Sequence, residues 1–185
     1  MLLIGLLAVE GATLLDVRGL ITLHVYLGLL LIGPVLLKCA STGYRFLRYY
    51  GRRRPYLEKG PPPLVLRVLG PVVVLSSLAV LGTGVGLIFT RPGHHNLLLT
   101  LHQASFVVWF AVMVVHVLGH VLEAAVLSWR EVRDPRSAAG VRRRRWRAIA
   151  VAASLVAGVA LASALMPSAH GWTSHRSDQH ERRDR

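Results

Sequence analysis

Cysteine, acid and aromatic residues are all scarce in this chain of 185 residues. The single cysteine, Cys39, leaves no partner for an intramolecular disulfide. It also excludes any multi-cysteine zinc or iron–sulfur site built by this chain alone. Cys39 falls near the end of an apolar run, where a reduced, buried thiol is expected. Only 9 Asp and Glu stand against 22 Lys and Arg, a formal charge of +13. In a water-soluble domain that imbalance points to nucleic acid. Here aromatic residues are only 7% of the chain, no nucleic-acid module is recognisable, and the arginines lie between apolar blocks, so no nucleic-acid partner is expected. No serine, cysteine or carboxylate dyad sits with a histidine at a spacing that suggests hydrolysis or group transfer.

What is abundant is hydrophobic sequence. Apolar residues make up 53% of the chain, the mean hydropathy is +0.48, and the apolar residues come in blocks of about 20, long enough to cross a bilayer as helices. Four spans are read: Leu20–Ala40, Leu64–Thr90, Leu97–Leu127 and Ala148–Met166. Ahead of them Leu2–Leu15, interrupted by Glu10, would rise only about 21 Å as a helix, short of a core of about 30 Å. It reads as a short fifth helix or as part of a longer helix starting upstream. It lacks the basic start of a signal peptide. The expected architecture is an all-α transmembrane bundle over residues 1–166, followed by a polar tail, 167–185, without fixed structure.

Charge orients the bundle. The connection 41–63 carries Arg45, Arg48, Arg52, Arg53, Arg54 and Lys59 against Glu58, and the connection 128–147 carries eight arginines against Glu131 and Asp134. Both are expected on the cytoplasmic side of a plasma membrane crossed several times. The turn at Pro92-Gly93 and the tail then lie outside. Pro34 and Pro71 fall inside spans and are expected to kink them. Gly82, Gly84 and Gly86 read as close helix packing rather than a phosphate loop, since no strand precedes them. Ala153, Ala157 and Ala160 form a small face on the last span, which carries no ionisable residue.

Histidines supply the functional question, because a polar ring is costly in hydrocarbon. His24 and His102 each lie about 6–8 Å inside the outer end of a span, on helices read as crossing in opposite directions. Matching depth is what a haem iron held by two imidazoles requires. His116 and His120 follow on the helix of His102. At fourteen and eighteen residues from it they return to nearly the same face, and His116 lies about 21 Å deeper. His116 is the candidate ligand of a second, inner haem. Fourteen residues past His24, however, stands Lys38, and the Leu64–Thr90 span has no histidine. The alternative for every one of these rings is a hydrogen bond to a neighbouring helix. His120, near Glu123, is read as solvated. His94, His95, His170, His175 and His180 are read as loop histidines, with a peripheral metal site as the other reading.

The stretches "LHVYLGLLLIGPVLLKCASTGYRFLRYY" and "LHQASFVVWFAVMVVHVLGH" resemble a group of small actinobacterial integral membrane proteins of undefined function. More distantly they are similar to the helical b-type cytochrome subunits of bacterial formate dehydrogenases and nickel–iron hydrogenases. In those subunits one helix carries two haem ligands fourteen residues apart, the spacing of His102 and His116. The resemblance implies haem b as cofactor and cofactor-binding roles for His24, His102, His116 and His120, with His24 and His102 on the iron. It also implies electron transfer between a quinone and a redox partner subunit, rather than a stand-alone enzyme. The alternative is a non-enzymatic membrane scaffold or assembly protein with structural histidines and basic cytoplasmic loops. A proton- or metal-coupled carrier is disfavoured, since no Asp or Glu is seen at the centre of a span and no inverted repeat is detected.

Overall fold

The computed structural model describes residues 2–51, 64–92, 97–131 and 138–173. Arg52–Pro63, His94, His95, the 132–137 connection, and His175 and His180 lie outside the described residues. The side chains of His120 and Arg142–Arg144 are outside them too.

The chain is an all-α bundle. Its helices are α1 (Leu2–Thr13), α2 (Val17–Tyr50), α3 (Leu64–Ile88), α4 (Leu97–Glu131), α5 (Ala138–Leu165) and the single turn α6 (His170–Thr173). Four helical stretches are long and apolar enough to cross a membrane: Leu2–Arg48, taking in α1 with α2, then Val68–Ile88, Leu97–Gly119 and Arg145–Thr173. Large apolar side chains such as Val107, Phe110, Leu118 and Val156 are exposed on their outer faces. Such a surface is expected where lipid tails, not water, are the solvent.

Helices run past the apolar blocks. α2 has 34 residues, a rise of about 51 Å against a hydrocarbon core of about 30 Å. Arg45 and Arg48 therefore sit on its last turns rather than in a loop. In the same way Arg142–Arg147 belong to the first turns of α5. Arg48 lies over the Tyr44 ring, 5.5 Å from its centre, a cation–π contact suited to a headgroup region.

α1 folds back along α2. Thr13 and Glu10 both reach His24, and Glu10 also approaches Gly28, so positions fall on α1 as they rise on α2. A 3-10 turn, Leu14–Asp16, makes the reversal. Asp16 caps α2: its Oδ1 accepts the Gly19 backbone N–H at 2.9 Å, satisfying one of the four donors a helix start leaves open. The non-helical backbone within α2 falls one turn later, at Leu20 (φ −115°, ψ 19°). It is this break, not Pro34, that interrupts the helix.

The tightest crossing joins α2 to α5. A Cβ on Gly33 would collide with the Ser154 carbonyl oxygen, and one on Gly158 with the Leu30 carbonyl oxygen. The two backbones touch, and the pairing of 30 with 158 and 33 with 154 makes them antiparallel. Only glycine permits this approach, the usual way membrane helices gain van der Waals contact. The small face of α5 is thus Ser154, Gly158 and Ala162, which are part-buried or buried, whereas Ala153, Ala157 and Ala160 face outward. The two sets are offset by about one residue, or 100° of helix rotation.

The buried core lies toward one end of the bundle, where Leu29, Ile88, Ala162 and Ala169 meet. The chain after Leu165 stays helical through Met166–Ala169 and α6, where a tail without fixed structure was expected. Ala169 is fully buried. Trp172 Nε1–H donates to the carbonyls of Leu87 (2.8 Å) and Thr90 (2.9 Å). Leu87 lies in the last turn of α3 and Thr90 just past it, and the Leu87 carbonyl also accepts the Thr90 N–H at 3.0 Å and the Thr90 hydroxyl at 2.9 Å. The two indole bonds hold the segment against the end of α3.

α3 and α4 form an antiparallel hairpin with Gly86 against Leu98, Thr83 against His102 and Ser77 against Trp109. α2 and α4 each begin at this same end of the bundle, so they run in the same direction, not in opposite ones.

Replacing Gly33 or Gly158 by Leu is expected to destabilise the bundle by about 3 kcal/mol or more, because the backbones must separate. Ala157→Leu, on the lipid face, should be nearly neutral. Thermal unfolding in detergent, read by loss of helical circular dichroism, checks both.

Candidate functional site

Two imidazoles are set near one end of the bundle, and each is held through the same ring nitrogen. His24, on α2 just past the break at Leu20, has Nδ1 3.0 Å from Glu10 Oε1 and 2.9 Å from Thr13 Oγ1. The Thr13 hydroxyl donates to the Glu10 backbone carbonyl at 2.5 Å, so its lone pair is turned to accept from the ring. Thr13 is buried, and the His24 and Glu10 side chains are 20% and 16% exposed.

His102, on α4, faces α3. Its Nδ1 lies 3.1 Å from the Val80 carbonyl oxygen and 3.1 Å from Thr83 Oγ1. Thr83 donates to the Ala79 carbonyl at 2.7 Å, again leaving its oxygen as acceptor. Gly84 makes room for the ring: a Cβ there would stand 3.1 Å from His102 Cε1. The Thr83 hydroxyl also reaches the Val80 carbonyl, at 3.1 Å, bending back into the turn as Ser and Thr commonly do in membrane helices.

These contacts decide the tautomers. A carbonyl oxygen can only accept, so His102 Nδ1 carries a proton. An ionised carboxylate can only accept, so His24 Nδ1 carries one as well. In the neutral rings Nε2 keeps its lone pair, and among the described residues neither Nε2 has a hydrogen bond. Pinning one nitrogen to a carboxylate or carbonyl while the other stays basic is the arrangement protein metal ligands share.

A hydrogen-bonded seam supports His102. Ser105 lies 3.4 Å from Thr83, and Trp109 Nε1–H donates to the buried Ser77 hydroxyl at 3.0 Å. Bonds of this kind between membrane helices contribute about 1 kcal/mol each.

The other histidines are placed differently. His116 is half-buried on α4, four turns along from His102, and Lys38, opposite in the sequence reading, is exposed on α2. His120 lies on the same helix. His170 is exposed on α6. No group of three or more His, Cys, Asp or Glu able to hold a metal ion occurs among the described residues. An ion relying on protein donors alone therefore lacks a full set among them. An open apolar groove of about 310 Å³ between α3 and α4, lined by Val68, Leu69, Val72, Ala111, Val112 and Val115, lies farther along the hairpin.

Glu10 and Thr13 are the functional residues that the sequence reading missed. Glu10 appears there only as an interruption of an apolar run. Its signal was present: a lone acid in an apolar helix, with Thr13 three residues on and so on the same face.

Histidine-15N NMR of the protein in detergent, without added metal, should show both His24 and His102 with Nδ1 protonated. Thr83→Val should leave that state intact at His102, since the Val80 carbonyl remains. A protonated Nε2 with a bare Nδ1 at either ring contradicts the contacts. Comparison with protein-family profiles, with curated proteins and with solved structures gives no match for this chain.

Proposed function

We propose that this chain is a b-type cytochrome-like membrane subunit in which His24 and His102 would hold one haem iron. The observation that carries the reading is the shared state of the two rings: both donate from Nδ1 and both keep a basic Nε2. They stand on two different helices near one end of the bundle. The donor set fits haem, which would draw its protein ligands from imidazoles held in this state.

Bound there, haem would supply one-electron exchange. The chain's own residues do the rest. Glu10, Thr13 and the Val80 carbonyl orient the rings, Gly84 gives His102 its place, and the surrounding apolar helices keep water from the site. In this reading electrons pass between a quinone in the bilayer and a redox partner subunit. The basic ends of α2 and α5 lie at the cytoplasmic face of the plasma membrane, and the histidine pair lies toward the outer face. His116 is the inner candidate. Its geometry offers no second histidine from this chain's α2 or α3, so an inner haem would draw its other ligand from elsewhere.

Protein purified from haem-replete cells is expected to show a Soret band, a reduced α-band and a positive pyridine haemochrome test for haem b. His24→Ala and His102→Ala should each lower haem content at least tenfold while the protein still folds. His116→Ala should leave the outer haem in place. A colourless wild-type protein, or unchanged spectra with weakened helix association in His24→Ala, supports the structural role of the histidines and overturns the cytochrome.

A further inference from the structure

The two candidate ligands are held by acceptors of different charge. His102 gives its Nδ1 proton to a neutral backbone carbonyl. His24 gives its own to a carboxylate, 3.0 Å away. The other carboxylate oxygen, Glu10 Oε2, is buried and has no hydrogen-bond partner among the described residues. Nor does any Lys or Arg among them pair with Glu10. The negative charge is therefore directed onto the His24 ring, in surroundings of low dielectric where such an effect is large.

We infer that Glu10, carried on α1, is a positioning residue that makes His24 the stronger donor of the pair and holds the bound iron toward its oxidised state. The inference rests on the cytochrome reading. Its physical basis is simple. A carboxylate drawing on Nδ1–H leaves more electron density at Nε2, as in the carboxylate–histidine–metal arrays of metalloenzymes. The oxidised centre carries one more positive charge than the reduced one, so a nearby uncompensated anion favours it. Thr13 fixes the geometry, its hydroxyl tied to the backbone of Glu10 and its oxygen to His24. Gly28 leaves the space: a Cβ there would already lie 3.4 Å from Glu10 Oε1, and a longer side chain would displace the carboxylate. α1, too short to span alone, thus has a defined task. It folds back to bring one acid to one ligand.

The test is a redox titration of the full-length protein in detergent, with electron paramagnetic resonance of the oxidised form. Glu10→Gln keeps an acceptor for Nδ1–H and removes the charge. The midpoint potential should rise, and the low-spin g-values should move in the direction of a weaker axial ligand. Gly28→Leu, which leaves Glu10 in the sequence but pushes it off the ring, should shift both in the same direction. Glu10→Asp should return the potential toward wild type. A purely structural Glu10 predicts lower thermal stability with potential and g-values unchanged, and that result overturns the inference while leaving the haem in place. A wild-type protein without haem removes the cytochrome reading itself, and this inference with it.

Discussion

A donor N–H within hydrocarbon must find an acceptor from the protein, because no water is there to take its place. That constraint organises the half of the bundle that holds His24 and His102. His24 and His102 each turn Nδ1 to a nearby oxygen, and each oxygen is supplied by an adjacent helix: Glu10 and Thr13 from α1 for His24, Val80 and Thr83 from α3 for His102. Helix placement and ring chemistry are therefore one problem. The helices that satisfy the rings also fix which nitrogen remains basic.

The scaffold rests on a different balance. Lipid tails are as apolar as leucine, so burial gives little reason for helices to associate, and close contact and hydrogen bonds must do it. The α2–α5 crossing uses contact, with Gly33 and Gly158 letting backbone meet backbone. The α3–α4 hairpin uses polar bonds, from Ser77–Trp109 to Thr83–His102. At one end of the bundle Trp172 bonds to the Leu87 and Thr90 carbonyls and so ties the chain beyond α5 to the far hairpin. The two pairs of helices are joined where the histidines lie.

Much of the architecture was legible in composition. Blocks of about 20 apolar residues divided by arginine clusters predict a multi-pass helical bundle, because backbone polar groups in lipid leave few alternatives. His24 and His102 could be paired by depth, since rise per residue is constant. Their common direction was misread, although both stand near the starts of their helices. The packing face of α5 was missed by one position, because Ala153, Ala157 and Ala160 match Ser154, Gly158 and Ala162 in size, and size alone does not say which side meets a neighbour. Helix ends were placed short, because charge was taken to end a helix when it only ends the apolar part.

What the amino-acid order determined by itself is the class of solvent this chain lives in, the number of long helices and the level of each histidine, all consequences of hydropathy and a fixed helical rise. What tertiary structure alone decided is the partner of each ring. A carboxylate fourteen residues before His24 becomes its neighbour only because Leu14–Asp16 reverses the chain. The Val80 carbonyl reaches His102 only because α3 and α4 pack in one register. Hydrogen bonds act over about 3 Å, and no periodicity along a sequence specifies which atoms of two helices will come that close.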